Sequence, residues 1–224
     1  MTVWFTSDQH FGHARLLELS PARGAAFPTV GEMNARLIHN WNAVVEPDYT
    51  VWVLGDVDMH GKDAMLALIS QLVGTKILIS GNHDSCWAGV RDGWKNRDLY
   101  LAAGFAAVMD FVVTTLPPLR PQAPATRVLL SHFPYAGDSH DDDRYAQFRL
   151  RDEGIPLLHG HVHESFRERR TKEGHLGNQR RSRLVELRAR LGRDPRSAPR
   201  RPQALPRRGH HRLSDASARR YTSG

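Results

Sequence analysis

A single cysteine, Cys86, in 224 residues excludes an internal disulfide and leaves no set of thiolates for a structural zinc site. Long apolar runs are missing too: no stretch approaches the roughly 20 apolar residues that span a bilayer. No signal-peptide pattern precedes the strand-like "TVWFTS" after Met1. These absences point to a soluble cytoplasmic chain with no membrane partner, and they leave its oligomeric state open. Beyond Phe166 there is no Ile, Met, Phe or Trp, so that stretch has little surface to bury against the entropy of ordering it.

The formal net charge of +7 invites a nucleic-acid reading, but its distribution argues otherwise. Residues 171–224 hold 15 of the 31 Lys and Arg but only 4 of the 24 Asp and Glu, a net +11, whereas the preceding 170 residues carry −4. The expected organisation is one domain over 1–172 followed by a basic, disordered tail over 173–224.

What the body does contain is a recurrence of short runs rich in β-branched and aromatic residues: "VWFTS" (3–7), "VWVLG" (51–55), "KILISG" (76–81), "VLLS" (128–131) and "PLLHG" (156–160). Such runs suit buried strands. Met33, Leu37, Ile38, Trp41 and Val44 or Val45 recur at steps of three and four, with Thr29 and Glu32 placed to cap the helix they predict. Met65, Leu66, Ile69, Leu72 and Val73 repeat the pattern, and Gly74 is placed to stop it. Strand and helix in alternation predict an α/β layered fold. "FAAVMDFVVTTLP" after Gly104 reads as strand, and the acidic "GDSHDDDR" at 137–144 as a solvated loop.

Each of the five strands runs into residues able to hold a metal: Asp8 and His10, then Asp56, then Asn82 and His83, then His132, then His161 and His163. Ligand sites in α/β sheets form beyond the carboxyl ends of strands, so five such ends can meet at one place. In extended backbone, the pairs Asp8/His10 and His161/His163 would each point both side chains the same way. Glycines 12, 55, 81 and 160 stand beside these positions, where tight turns or close backbone approach need a residue without Cβ. Asp, Asn and His without thiolate suit Mn, Fe or Zn. Seven donors exceed one ion and fit two sharing a carboxylate, the usual device for phosphoester hydrolysis.

The pieces "SDQHFGH" (7–13), "GDV" (55–57), "GNHD" (81–84), "SHFP" (131–134) and "GHVH" (160–163) resemble, in order and spacing, the calcineurin-like metallophosphoesterases, in a small bacterial and phage-associated branch. The resemblance covers residues 1 to about 170. It implies a two-sheet β-sandwich flanked by helices in four αββα layers, and two divalent metal ions. Asp8, His10, Asp56 and His163 would hold one ion and Asp56, Asn82, His132 and His161 the other, with Asp56 bridging. A metal-bridging hydroxide would then hydrolyse phosphomono- or phosphodiesters, with His83 as the catalytic acid or transition-state stabiliser. The implied substrate is a phosphoester small molecule or nucleotide; nucleic acid is permitted but not required. One departure concerns His83: the carboxylate that orients this histidine in the phosphoprotein phosphatases falls here at Met59, leaving Asp58 or Asp84 as its substitute.

The family continues after "GHVH" into closing strands of the form "INVGVD" and "PVS", which this chain lacks, so the final strands are expected to be missing. Three readings of the tail stand side by side: a frameshifted end from about residue 174, a native disordered tail, or an Arg-rich arm that binds nucleic acid beside a degenerate metal site. Synonymous codons exist with which a one-base shift over 177–190 reads "GINVGVDWSNYAP". Leu184, Leu187 and Leu191 would line one face of a marginal helix.

Overall fold

The computed structural model describes residues 2–58, 63–116, 122, 124–138 and 140–163, and the backbone of three short strands at 168–170, 176–179 and 185–186. Met59 and most of the basic tail lie outside the described residues, as do the tail's two alternatives of frameshift and nucleic-acid arm. Among the described residues no helix is long and apolar enough to cross a membrane.

All five expected strands form. They are β1 (Val3–Thr6), β2 (Thr50–Val53), β3 (Thr75–Ile79), β6 (Thr126–Ser131) and β7 (Leu157–His159). The stretch after Gly104 forms two strands, β4 (Phe105–Met109) and β5 (Phe111–Leu116), separated by Asp110. Asp110 is where the chain leaves one sheet for the other. Its carboxylate accepts from Ser80 Oγ at 2.7 Å and pairs with Arg97, which pins that crossing. Short strands β8 (Glu168–Arg170), β9 (Leu176–Gln179) and β10 (Val185–Glu186) follow.

The first sheet has the order β10-β1-β2-β3-β4, with β1 to β4 parallel and β10 antiparallel to β1. The second has the order β5-β6-β7-β9-β8, with β6, β7 and β9 parallel. Parallel strands put the carboxyl ends of β1, β2 and β3 on one rim of the first sheet. Those of β6 and β7 share one rim of the second.

Alternation along each strand separates two apolar layers. Phe5, Leu54, Ile79, Val128, Leu130 and Leu158 fill the space between the sheets. Trp4, Val51, Val53 and Leu78 face the other way, into a second cluster with Trp41, Leu66, Ile69, Leu72, Tyr100 and Phe105. Helices α3 (Val30–Asn42), α4 (Asp63–Ile69) and α5 (Arg97–Ala102) supply that outer layer; α1 (Leu16–Leu19) and α2 (Pro21–Ala26) precede them. Helix α3 begins as the sequence predicts, with Thr29 Oγ1 accepting from Glu32 N at 3.2 Å. Trp41 Nε1 donates to Val73 O at 2.9 Å and ties its last turn to the approach to β3. Gly74, at φ +87°, makes the turn into that strand. The two-sheet α/β sandwich is the expected fold.

Its closing strands correct the expectation that they are missing. Strand β9 lies parallel to β7, pairing Leu157 with Gly177 and His159 with Gln179, and β10 pairs Phe5 with Val185. Neither "LGNQ" nor "VE" has the apolar alternation that marks a buried strand. Pairing itself asks only for backbone N–H and C=O groups, which any sequence without proline supplies, both at an edge, where β10 lies, and between two neighbours, where β9 lies. Strand β10 also stands inside the stretch assigned to a leucine-faced helix.

Candidate metal centre

The rims of the two sheets meet, and backbone bonds stitch them together. Asp8 N donates to Gly55 O and His10 N to Asp56 O, both at 3.0 Å, so the loops after β1 and β2 run side by side. Gly160 N donates to His132 O at 3.0 Å, which ties the loops after β6 and β7 to each other, and His161 N donates to Asp8 Oδ1 at 3.2 Å, which joins the second sheet to the first. The carboxylate of Asp84 accepts from Val57 N on Oδ1, at 3.0 Å, and from Asp56 N and Gly81 N on Oδ2, at 3.0 and 2.7 Å. It clamps the loop that carries Asp56 to the loop that carries Asn82. Asp58, the other carboxylate considered for His83, accepts from Tyr100 Oη at 2.9 Å.

All seven expected donors come together, in two overlapping groups. One nitrogen or carboxylate oxygen from each of Asp8, His10, Asp56 and His163 lies within 4.8 Å of all the others. In the second group His132 Nε2 lies 3.4 Å from Asp56 Oδ2 and 3.2 Å from Asn82 Oδ1, and His161 Nδ1 lies 3.0 Å from the same Asn82 oxygen. Asp56 belongs to both: its Oδ2 is 3.4 Å from His132 Nε2, 3.8 Å from His10 Nε2 and 4.0 Å from His83 Nε2. His83 stands at the mouth, its ring half-buried and 5.3 Å from that of His10, and its backbone N donates to Asp56 Oδ1 at 3.0 Å. His13 is near as well, 5.5 Å from the His10 ring and 6.2 Å from that of His83.

The route to this convergence differs from the one the sequence suggested. Asp8, His10, Asp56, His161 and His163 are not extended but left-handed, with φ of 56°, 53°, 54°, 71° and 46°. Eight non-glycine residues among those described have positive φ, and five of them are in this cluster. Each such residue costs on the order of 1–3 kcal/mol unless its surroundings enforce it. Concentrated at one place, that cost makes the cluster the candidate functional site. In each pair, two successive tight turns bring the side chains to the same side.

Electrostatics are those of a cation site. Burial works against charge on Asp56, but His132, His10 and His83 hold its pKa well below the usual carboxylate value. Burial likewise disfavours a protonated His132, yet Asp56 and Asp8 push its pKa up to about 9. Two carboxylates here demand positive charge. Burial keeps His10 neutral, and burial with repulsion from His132 lowers His161 to about 3. Their bare ring nitrogens are therefore available as ligands at neutral pH. His132 Nδ1 lies 2.8 Å from Leu54 O; an N–H donated there turns Nε2 toward Asp56 and Asn82. The donor set fits divalent metal.

The motif glycines answer to close approach, as expected. A Cβ on Gly81 would stand 2.3 Å from Asp56 Oδ1 and 2.7 Å from Asp56 N, and one on Gly55, at φ +86°, 2.2 Å from His132 Nδ1. Gly81→Ala is expected to lower the activity of this site by about 100-fold, because a side chain displaced by an ångström no longer meets the reacting geometry. Steady-state kinetics at saturating metal check this; full activity would show that the loops yield without cost.

Two residues near the site were not legible beforehand. Arg23, in α2, donates to Asp8 O at 2.6 Å and Gln9 O at 2.9 Å, bracing the first turn from outside. Asp138 belongs to the acidic stretch assigned to solvent. Asp141, Asp142 and Asp143 are exposed, but the Asp138 side chain is buried and its Oδ2 lies 3.0 Å from His161 Nε2. Nothing in their local sequence distinguishes either one.

Comparison with known proteins agrees with this geometry. The family model for calcineurin-like phosphoesterases matches residues 1–165. The gene 66 protein of Mycobacterium phage L5 is 40% identical over 193 residues, covering 82% of this chain and 89% of that protein. The gene 66 protein of Mycobacterium phage D29 is 40% identical over 169 residues, covering 72% and 78%. Among solved structures, protein AQ665 of Aquifex aeolicus, described as of unknown function, has the same fold: TM-score 0.55 at 24% identity, over 83% of this chain and 95% of that one. The matched span contains every residue of the cluster described above, and the chain belongs to the calcineurin-like phosphoesterase family.

Proposed function

We propose that the protein is a dinuclear-metal-dependent phosphoesterase acting on phosphomono- or phosphodiesters of small molecules or nucleotides. The observation that carries this reading is Asp56 Oδ2, one carboxylate oxygen shared by two groups of metal-competent donors. Asp8, His10, Asp56 and His163 would hold one divalent ion and Asp56, Asn82, His132 and His161 the other, with Mn, Fe and Zn all suited to these ligands. When bound, such a pair lowers the pKa of water and offsets the charge developing on phosphorus. The chain's own residues do the rest. Asp84 and Arg23 hold the ligand-bearing loops in register, and the left-handed turns aim both side chains of each pair inward. His83, partly exposed with Nε2 4.0 Å from Asp56 Oδ2, would protonate a leaving oxygen from that nitrogen.

The convergence of all seven donors weighs against the alternative, an Arg-rich nucleic-acid-binding protein with a degenerate metal site. The test uses the full chain stripped of metal and resupplied with Mn, Zn, Fe(II) or Mg, with p-nitrophenyl phosphate and bis-p-nitrophenyl phosphate as substrates. Activity is expected only with added metal, together with a rise in thermal midpoint from mass action. His132→Ala is expected to remove both responses. Hydrolysis that survives chelation, or that ignores His132→Ala, would sink the reading.

A further inference from the structure

We infer that Asp138 is a positioning residue for His161, fixing the ring so that Nδ1 faces Asn82 and the shared metal site. This rests on the dinuclear reading above and extends it to a loop outside the family's motifs. The His161 ring has an oxygen beside each nitrogen: Nε2 lies 3.0 Å from Asp138 Oδ2, and Nδ1 lies 3.0 Å from Asn82 Oδ1. Both the Asp138 and His161 side chains are buried. Arg144 donates to Asp138 from Nη2, at 2.9 Å to Oδ1, and from its backbone N, at 3.1 Å to Oδ2; Arg149 Nη2 stands 3.9 Å away. Both oxygens of that carboxylate already accept from Arg144, so it meets His161 as an acceptor.

The hydrogen between Asp138 and His161 therefore sits on Nε2. The ring is left with a bare lone pair on Nδ1, the nitrogen that faces Asn82. His132 is fixed in the opposite sense, with Nδ1 on the Leu54 carbonyl and Nε2 facing the same Asn82 oxygen. Each ring is thus anchored through one nitrogen and turns the other toward the same Asn82 oxygen, by opposite nitrogens in the two rings. A carboxylate partner also raises the basicity of its histidine beyond what a carbonyl does. Asp138 is in the loop that follows β6, so its hold on His161 links that loop to the ligand set directly.

The experiment titrates Mn2+ into the metal-free full chain by calorimetry, for wild type, Asp138→Ala, Asp138→Asn and Tyr135→Phe. Tyr135→Phe removes a different anchor of the same loop, the 2.7 Å bond from Tyr135 Oη to Ile155 O, and leaves Asp138 in place. In Asp138→Ala one of two binding steps is expected to weaken by about 10–100-fold while the other stays within about threefold. Asp138→Asn, which keeps the shape and one acceptor, is expected to weaken the same step by less, and it reports on its own if the alanine variant does not fold. Tyr135→Phe is expected to change neither step. Nitrogen-15 NMR of the metal-free protein supplies a readout independent of metal: His161 should be the Nε2–H tautomer in wild type and a mixture in Asp138→Asn. Both steps unchanged in the Asp138 variants, an Nδ1–H tautomer in wild type, or an equal loss in Tyr135→Phe would each overturn the inference alone. Wild type that takes up no Mn2+ would overturn the dinuclear reading with it.

Discussion

Asp56→Asn is expected to lower kcat/KM for phosphoester hydrolysis by about 1,000-fold or more, equivalent to roughly 4 kcal/mol of transition-state stabilisation. One oxygen of Asp56 lies within 4.0 Å of His132, His10 and His83, which belong to both donor groups and to the proposed acid. Loss of its charge should therefore weaken both proposed metal sites at once, where loss of His163 or Asn82 would weaken one. The fold is expected to survive. Asparagine keeps the Oδ1 that accepts from His83 N, and it tolerates the left-handed conformation as well as aspartate does. His132, raised to about 9 chiefly by Asp56 against the opposing effect of burial, sheds its proton when that partner goes, so no orphaned buried charge remains. The check is kinetic constants alongside metal uptake and thermal midpoint. Retained activity with normal metal content would remove Asp56 from the centre of the mechanism.

How much of this was readable beforehand depends on the range of the interaction involved. The strands announced themselves because "VWVLG" and "KILISG" carry local preferences and end in polar residues. The positions of the candidate ligands were legible for the same reason: Asp56, Asn82 and His132 each follow a strand. The geometry of the pairs was not. "SDQH" and "GHVH" suggest extended backbone by spacing, but φ values of 46° to 71° at both members of each pair are set by bonds between loops distant in sequence, such as His10 N to Asp56 O. Asp138 was illegible on the same ground. In "GDSHDDDR" it looks like its exposed neighbours, and only the partners Arg144 and His161 distinguish it. At the other end of the chain, β9 and β10 form from stretches with no apolar pattern because backbone pairing, with β7 and β8 for β9 and with β1 for β10, holds them.

Asp84→Ala is expected to destabilise the protein by about 3–5 kcal/mol, a fall in thermal midpoint on the order of 10 °C. Two effects compete. Burial first, and then the nearby charges of Asp56 and Asp58, raise the Asp84 pKa well above the ordinary carboxylate value, a cost that alanine removes. Against this, alanine strips the partner from three backbone N–H groups, those of Asp56, Val57 and Gly81. Each donor left unsatisfied in the interior costs about 1–3 kcal/mol. Three of them together outweigh the relief of one carboxylate's burial, and the loss falls on the two loops that present Asp56 and Asn82. Asp84→Asn separates the effects. It removes the charge and fills the same space, but one of its two polar atoms becomes an N–H₂ facing backbone N–H groups. If charge relief dominates, the asparagine variant gains stability; if the donors dominate, it loses stability as alanine does, and by less. Loss in both variants is the expected result, measured by denaturant titration of the metal-free protein. A more stable Asp84→Asn would show that the clamp is tolerated for metal binding rather than required for folding.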